Sequence, residues 1–236
     1  MERKIKAIEK YGQLYVERFL KQQIDNKEKI YSDWYEALKF LFTKVFARGR
    51  KDELSERFMN ATIKTLNEYK LNKNYDQKLL DNLLKSNGVN NGKDRKMVLE
   101  VIDLIFNSLN SYQNNIVKYT VDEIKKNKIV NVFNTLNNIY CIGDKLASFY
   151  LRDIIIIYQL ENYLNPKYFK YCQPIDTWVK QVALKVGIIK SENDDVETIK
   201  NSIIGSCLNA KASPLLFNAG AWLVGANSFN LLIENL

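Results

Sequence analysis

Ile139-Tyr-Cys-Ile-Gly-Asp-Lys145-Leu-Ala147 separates two stretches of helical pattern and decides how the chain is read. Upstream, Lys128 to Asn138 reads as a helix; downstream, Asp144 opens another that continues to Leu160. The run Ile154–Ile157 alone would also suit a strand. Leu146, Phe149, Tyr150 and Ile154 carry one face across it, which predicts helix. Gly143 interrupts the two. A tight glycine turn between helices leaves backbone N–H groups unpaired where the second helix begins, and the helix dipole behind them favours a phosphate. Lys145 sits in the first turn of that second helix.

The same period extends outward in both directions. Glu2 to about Gln22 shows a stripe of Ile5, Ile8, Leu14, Tyr15 and Phe19. Ser32-Asp33 caps a helix carrying Trp34, Leu38, Leu41, Phe42 and Val45, which ends in the basic break Arg48-Gly49-Arg50. Further helices are expected over Asp52–Tyr69, around Leu79–Leu84, from Asp94 to about Leu109, and from Gln113 to Lys126. After the aromatic, basic linker Asn162–Cys172 come Asp176 to about Val186, Val196 to about Asn209, and Ser213-Pro214 to about Val224. Proline just after a serine cap is a common helix start. The count is about eleven helices, with no convincing strand and no internal repeat. Nine Gly and three Pro suit an all-α chain better than a sandwich or barrel, which needs many turns.

Composition narrows the chemistry. A chain of 236 residues, 46% of them hydrophobic, can bury a substantial core as one large domain or two small ones. The formal net charge of +8 points to polyanions, nucleic acid before an acidic membrane surface. There is no histidine, so a His-based triad, a His-ligated zinc and an imidazole base are excluded. Acid–base work falls to Asp, Glu, Lys, Tyr or Cys. Cys141, Cys172 and Cys207 are odd in number, widely spaced and form no CxxC, which argues against a disulfide framework, a zinc site or an iron–sulfur cluster. No metal or cofactor is therefore expected. The charged N-terminus lacks an apolar signal core, and Pro214–Ala226 falls short of the ~20 residues of a spanning helix. A soluble, intracellular protein without membrane association is the expectation.

A second motif, Gln173-Pro-Ile-Asp176-Thr-Trp-Val-Lys180, sets a carboxylate just after a proline at a helix start. An amine able to attack a sugar carbon, with a carboxylate in support, is the minimum equipment for cutting an N-glycosidic bond through a Schiff base. With these two motifs the chain resembles the helix-hairpin-helix DNA glycosylase superfamily, the endonuclease III-like group. Its hairpin reads hydrophobic-Pro-Gly-hydrophobic-Gly-x-Lys-x-Ala, and its second motif is a Pro-Val-Asp opening a later helix. The separation of 31 residues between Lys145 and Asp176 is similar to that of the archaeal 8-oxoguanine glycosylase branch, which lacks an iron–sulfur cluster. Leu215-Leu-Phe217-Asn-Ala-Gly220 resembles that branch's C-terminal motif. Two departures stand out: Tyr140 and Cys141 replace the hairpin's proline and first glycine, and Trp178 follows Asp176 where many members have a histidine.

The resemblance implies an all-α fold of two helical subdomains with a DNA-binding cleft between them. Residues 31–157 would form a helical barrel ending in the hairpin, and 1–30 with 158–236 the second subdomain. It implies a bifunctional DNA glycosylase and AP lyase acting as a monomer on damaged double-stranded DNA, with an oxidised purine, 8-oxoguanine first, flipped out of the stack. Lys145 would be the nucleophile and Asp176 the essential carboxylate. A free lysine has a pKa near ~10.4, so the nucleophile needs burial or neighbouring cations such as Lys180 to lose its proton. Cys141, Gly143, Arg48, Arg50 and Lys180 are candidate DNA contacts; Arg48 and Arg50 fit phosphate contact or insertion into the duplex gap. Phe217, Gln173 and Trp178 are the base-pocket candidates, although Trp178, like Trp222, also fits a core position. Two other readings use the same residues: a monofunctional glycosylase for alkylated or mismatched bases, and a non-catalytic DNA-binding hairpin protein. Pro174-Ile-Asp176 separates the last from the rest, because a pure binding hairpin does not need it.

Overall fold

Buried positions in the first helix fall at Ile5, Ile8, Gly12 and Tyr15, a spacing of three and four, and the next is Leu20, five residues on. That wider step is the period of a π-turn. In the computed structural model, which describes the backbone of residues 1–233 and the side chains of residues 1–226, α1 (Glu2–Tyr15) runs through a π-helical segment, Val16–Leu20, into the short α2 (Lys21–Asp25). The extra residue rotates the buried face to Leu20, so Phe19, expected on the stripe, is exposed; Leu14, upstream of it, lies off the Ile8–Gly12–Tyr15 face and is exposed too. Then follow α3 (Lys27–Ser32), α4 (Trp34–Val45), α5 (Asp52–Tyr69), α6 (Gln77–Ser86), α7 (Gly92–Ser108), α8 (Ile116–Lys125), α9 (Ile129–Asn137), α10 (Asp144–Ile157), α11 (Thr177–Val186), α12 (Val196–Asn209) and α13 (Pro214–Ile233). Among the described residues the regular structure is entirely helical, with no strand. The thirteen α-helices exceed the expected eleven because the first stretch divides and α3 occupies residues read as no element. The stretch expected as a linker from Asn162 to Cys172 is taken up by 3-10 turns at Glu161–Tyr163, which begins one residue before it, and Pro166–Cys172.

Short polar side chains start six of these helices. Asp33, Asp76, Asn91, Asn115, Asp176 and Asp195 each accept an amide of the first turn, which satisfies donors the helix itself cannot. In the Ser32-Asp33 pair the cap is Asp33; the Ser32 hydroxyl donates back to the Glu28 carbonyl. No helix among the described residues is long and apolar enough to cross a membrane.

The chain divides into two units, Lys27–Tyr150 and Met1–Asn26 with Leu151–Leu236. The boundaries fall after Asn26 and Tyr150, where residues 30 and 157 were expected. The second lies inside α10 because Arg152 and Asp153 bond to Tyr15 and Asn218. Within Lys27–Tyr150, α4 packs against α3, α5 and α8, and α8 against α9. Leu38, Leu41, Phe42, Val45, Ile102, Ile105, Ile116 and Leu136 are fully buried there. Each such side chain contributes about 1.5–3 kcal/mol by leaving water.

In the other unit α13 is the central element, packed on α1, α11 and α12. Ile5, Ile8, Val179, Val182, Ile199, Ile203, Phe217 and Val224 form its core. The α1–α13 crossing is made through glycine. A Cβ on Gly12 would lie 2.0 Å from the Leu216 carbonyl oxygen, and one on Gly220 2.0 Å from that of Ile8. Only a bare backbone allows so close an approach.

Candidate functional site

The connection between α9 and α10 is a turn in which the Ile142 amide donates to the Ile139 carbonyl at 2.9 Å. Ile139 and Ile142 are buried and pin its two ends. Cys141 has φ 65°, the left-handed conformation that a type II turn requires at its third residue and that glycine adopts without strain. Gly143 has no such requirement: its φ is not left-handed, it is exposed, and a Cβ there would meet nothing within 4 Å. The tight position is thus Cys141, where the sequence pointed to Gly143. The Gly143 carbonyl starts α10, accepting from Leu146 at 3.0 Å and Ala147 at 3.1 Å. Among the described residues, the amides of Cys141, Gly143 and Lys145 donate to no backbone carbonyl. Lys145 is half-buried in this first turn, and no ion pair among the described residues involves its ammonium.

The turn is braced from α7. The Tyr140 amide donates to Glu100 Oε2 at 2.6 Å, and Lys96 Nζ lies 4.3 Å from the centroid of the Tyr140 ring. Nothing in the local sequence around Tyr140 signals this support, because it arrives from forty residues away.

Arg48 and Arg50 are brought together, on Asp94. Arg48 Nη1 stands 3.0 Å from one oxygen of that fully buried carboxylate and Arg50 Nη1 2.5 Å from the other. Arg50 also donates to Ser55 Oγ at 3.0 Å and lies 5.0 Å from the Phe58 ring centroid, and Arg48 reaches Met97 Sδ at 2.7 Å. Two guanidinium groups on one carboxylate leave a net positive charge. Both arginines are nonetheless engaged inside the unit, holding the chain after α4 to the start of α7.

In the unit formed by Met1–Asn26 and Leu151–Leu236, Asp176 is the N-cap of α11. Its Oδ1 accepts from the Val179 amide at 2.9 Å, the side chain is half-buried, and its extended backbone (φ −123°, ψ −177°) suits a cap. Lys180 donates to the Glu192 carbonyl at 3.2 Å. Trp178 is 39% exposed, its Cβ seated against Gly225. Phe217 is fully buried in the core with Ile8 and Val179, with no face open to a base in this conformation. Gln173 is also fully buried; its Nε2 donates to the Pro214 carbonyl at 3.2 Å, and its Oε1 has no partner.

The segment leading to Asp176 is held by a buried polar network that sequence reasoning missed. Asn218 Nδ2 donates to the Pro174 carbonyl at 3.0 Å, and Asn218 Oδ1 accepts from Arg152 Nη1 at 2.9 Å. Arg152 also donates to Asp153 at 3.0 Å and to the Tyr15 hydroxyl at 2.9 Å, and that hydroxyl donates to Asp153 Oδ2 at 2.9 Å. Burial, then the Asp153 carboxylate, push the Tyr15 phenol far above its usual range; Asp153 and Tyr15 raise the Arg152 guanidinium against its burial. These groups act as struts. The only advance signal was an Arg-Asp pair inside an apolar helix, where charge is costly unless paired.

Burial pushes the Cys172 thiol far up and the Cys207 thiol up to about 12, so neither is a ready nucleophile; Cys141 is half-exposed. Among the described residues no group of three or more His, Cys, Asp or Glu is placed to hold a metal ion. Compared with family profiles, with curated proteins and with solved structures, the chain shows no significant match.

Proposed function

We propose that this chain is a DNA base-excision glycosylase with AP lyase activity. The observation that carries the reading is the backbone at Cys141. The resembled hairpin has Pro-Gly where this chain has Tyr140-Cys141, and a type II turn favours proline at its second residue and glycine at its third. Cys141 takes the left-handed conformation at the glycine position although it has a side chain. A backbone that adopts this turn at a cost of about 1–2 kcal/mol does so because the surrounding structure demands it. The free amides of Gly143 and Lys145, and the open space beside Gly143, suit a phosphodiester group.

In this reading the hairpin and the net charge hold duplex DNA largely through phosphate, and an oxidised purine, 8-oxoguanine first, leaves the stack. Neutral Lys145 attacks C1′ of the sugar through Nζ. The glycosidic bond breaks with its electron pair going to the base, and Asp176 stabilises positive charge developing on the sugar. Loss of a proton from the lysine nitrogen and opening of the ring yield the Schiff base. β-Elimination then breaks the C3′–O bond and nicks the strand.

Borohydride reduction of the protein mixed with an 8-oxoguanine duplex tests this directly. It should trap a covalent adduct, Lys145→Gln should abolish the adduct, and Asp176→Asn should slow turnover while binding survives. Full trapping in Lys145→Gln removes the nucleophile assignment. Duplex binding without base release or nicking, on any lesion, leaves a non-catalytic hairpin protein instead.

A further inference from the structure

Tyr140 stands where the resembled turn carries proline, and the exchange adds two things. Proline has no N–H; Tyr140 has one, free to donate to a side chain of the protein. Glu100 Oε2 provides it at 2.6 Å. Tyr140 also adds an aromatic ring, 38% exposed, and Lys96 lies with its ammonium 4.3 Å from the ring centroid. Lys96 and Glu100 are one helical turn apart on α7, Nζ 3.9 Å from Oε1. One carboxylate thus anchors the turn through one oxygen and faces the lysine through the other. The lysine side chain keeps 59% of its surface open.

We infer that Lys96 is a contact to the DNA phosphodiester backbone, aimed by Tyr140 and Glu100, so that α7 completes the phosphate-binding surface that the α9–α10 turn begins. The inference rests on the DNA-binding reading above. An exposed lysine normally loses substantial rotamer freedom when it grips a phosphate. A ring beneath the ammonium and a carboxylate beside it remove part of that freedom beforehand. The 3.9 Å ion pair is exposed and weak, so a phosphate can replace Glu100 as the lysine's partner without a large loss. Glu100 still holds the Tyr140 amide through its other oxygen.

The test is fluorescence anisotropy of the full chain with a labelled, undamaged duplex over a range of salt concentrations. Wild type should lose affinity linearly in log K against log salt. Lys96→Gln should weaken binding at low salt and lower that slope by about 0.9, the value of one released phosphate contact. Lys64→Gln, an exposed lysine of α5 paired with Glu68, should keep the wild-type slope. Glu100→Gln retains an acceptor and removes a negative charge, so it should bind more tightly than wild type. Glu100→Ala removes the same charge but leaves the Tyr140 amide without its acceptor, and should bind less tightly than Glu100→Gln. A wild-type slope in Lys96→Gln, an equal loss in Lys64→Gln, or identical affinities for the two Glu100 variants would overturn the inference while leaving DNA binding in place. Absence of salt-dependent binding by wild type would overturn both.

Discussion

Replacing Arg152 with methionine should cost this protein a large part of its stability. Arg152 is 2% exposed and Asp153 0%, and the guanidinium donates to Asp153, Tyr15 and Asn218 at 2.9–3.0 Å. Methionine fills much of the volume but leaves the Asp153 carboxylate buried without the guanidinium. Breaking a buried pair from one side costs about 3–5 kcal/mol. For a chain of this length each kcal/mol shifts the melting temperature by roughly 2–4 °C, so Arg152→Met should melt about 6–20 °C lower. Thermal unfolding followed by far-UV circular dichroism measures this. The triple variant Arg152→Met/Asp153→Leu/Tyr15→Phe removes the carboxylate and hydroxyl together with the guanidinium, and should recover most of the loss because an apolar replacement of a buried ion network is often neutral. An Arg152→Met melt within ~2 °C of wild type, or a triple variant no more stable than the single, would refute the reasoning.

Further outcomes follow from the same unit. Gly220→Ala puts a methyl 2.0 Å from the Ile8 carbonyl oxygen and 2.6 Å from the Gly12 amide nitrogen, both backbone atoms; it should lose about 1–3 kcal/mol or more in chemical denaturation, since α1 and α13 must separate. Glu161 has its carboxyl raised above the ordinary range by burial, against the Ser213 hydroxyl that donates to it, with the Glu9 charge adding to the rise. A carboxyl raised in the folded state contributes stability that is fully present below its unfolded value near ~4.3 and is lost as pH rises through the folded value. Glu161→Gln, which keeps an acceptor for Ser213, should therefore be the more stable protein at neutral pH, with the advantage shrinking as pH falls; stability curves for both proteins over acid to neutral pH give the comparison.

Most helices were legible from the sequence because their signals are local. Asp52–Tyr69 and Val196–Asn209 form over the expected residues, and Asp176 and Pro214 mark helix starts where cap chemistry puts them. The N-terminal stripe misled because a π-turn adds one residue to the period, and only the packing of Leu20 reveals it. For the candidate site, Lys145 and Asp176 could be named from motif and spacing. The contact of Arg48 and Arg50 with Asp94 could not, since that residue is over forty residues away.

What the chain determines by itself is what neighbours within a few residues decide: helical period, caps, the absence of imidazole chemistry, and two short motifs offering an amine and a carboxylate. Tertiary structure decides which charges are spent on holding the protein together, as with Arg152 and Asp94, and which residue of the α9–α10 turn takes the left-handed backbone. It also supplies Glu100 and Lys96 to that turn from α7. The division has one physical cause. A cap or a turn is satisfied by atoms that the backbone already holds close, whereas a buried charge or an orphan amide is satisfied only by groups that folding brings from far along the chain.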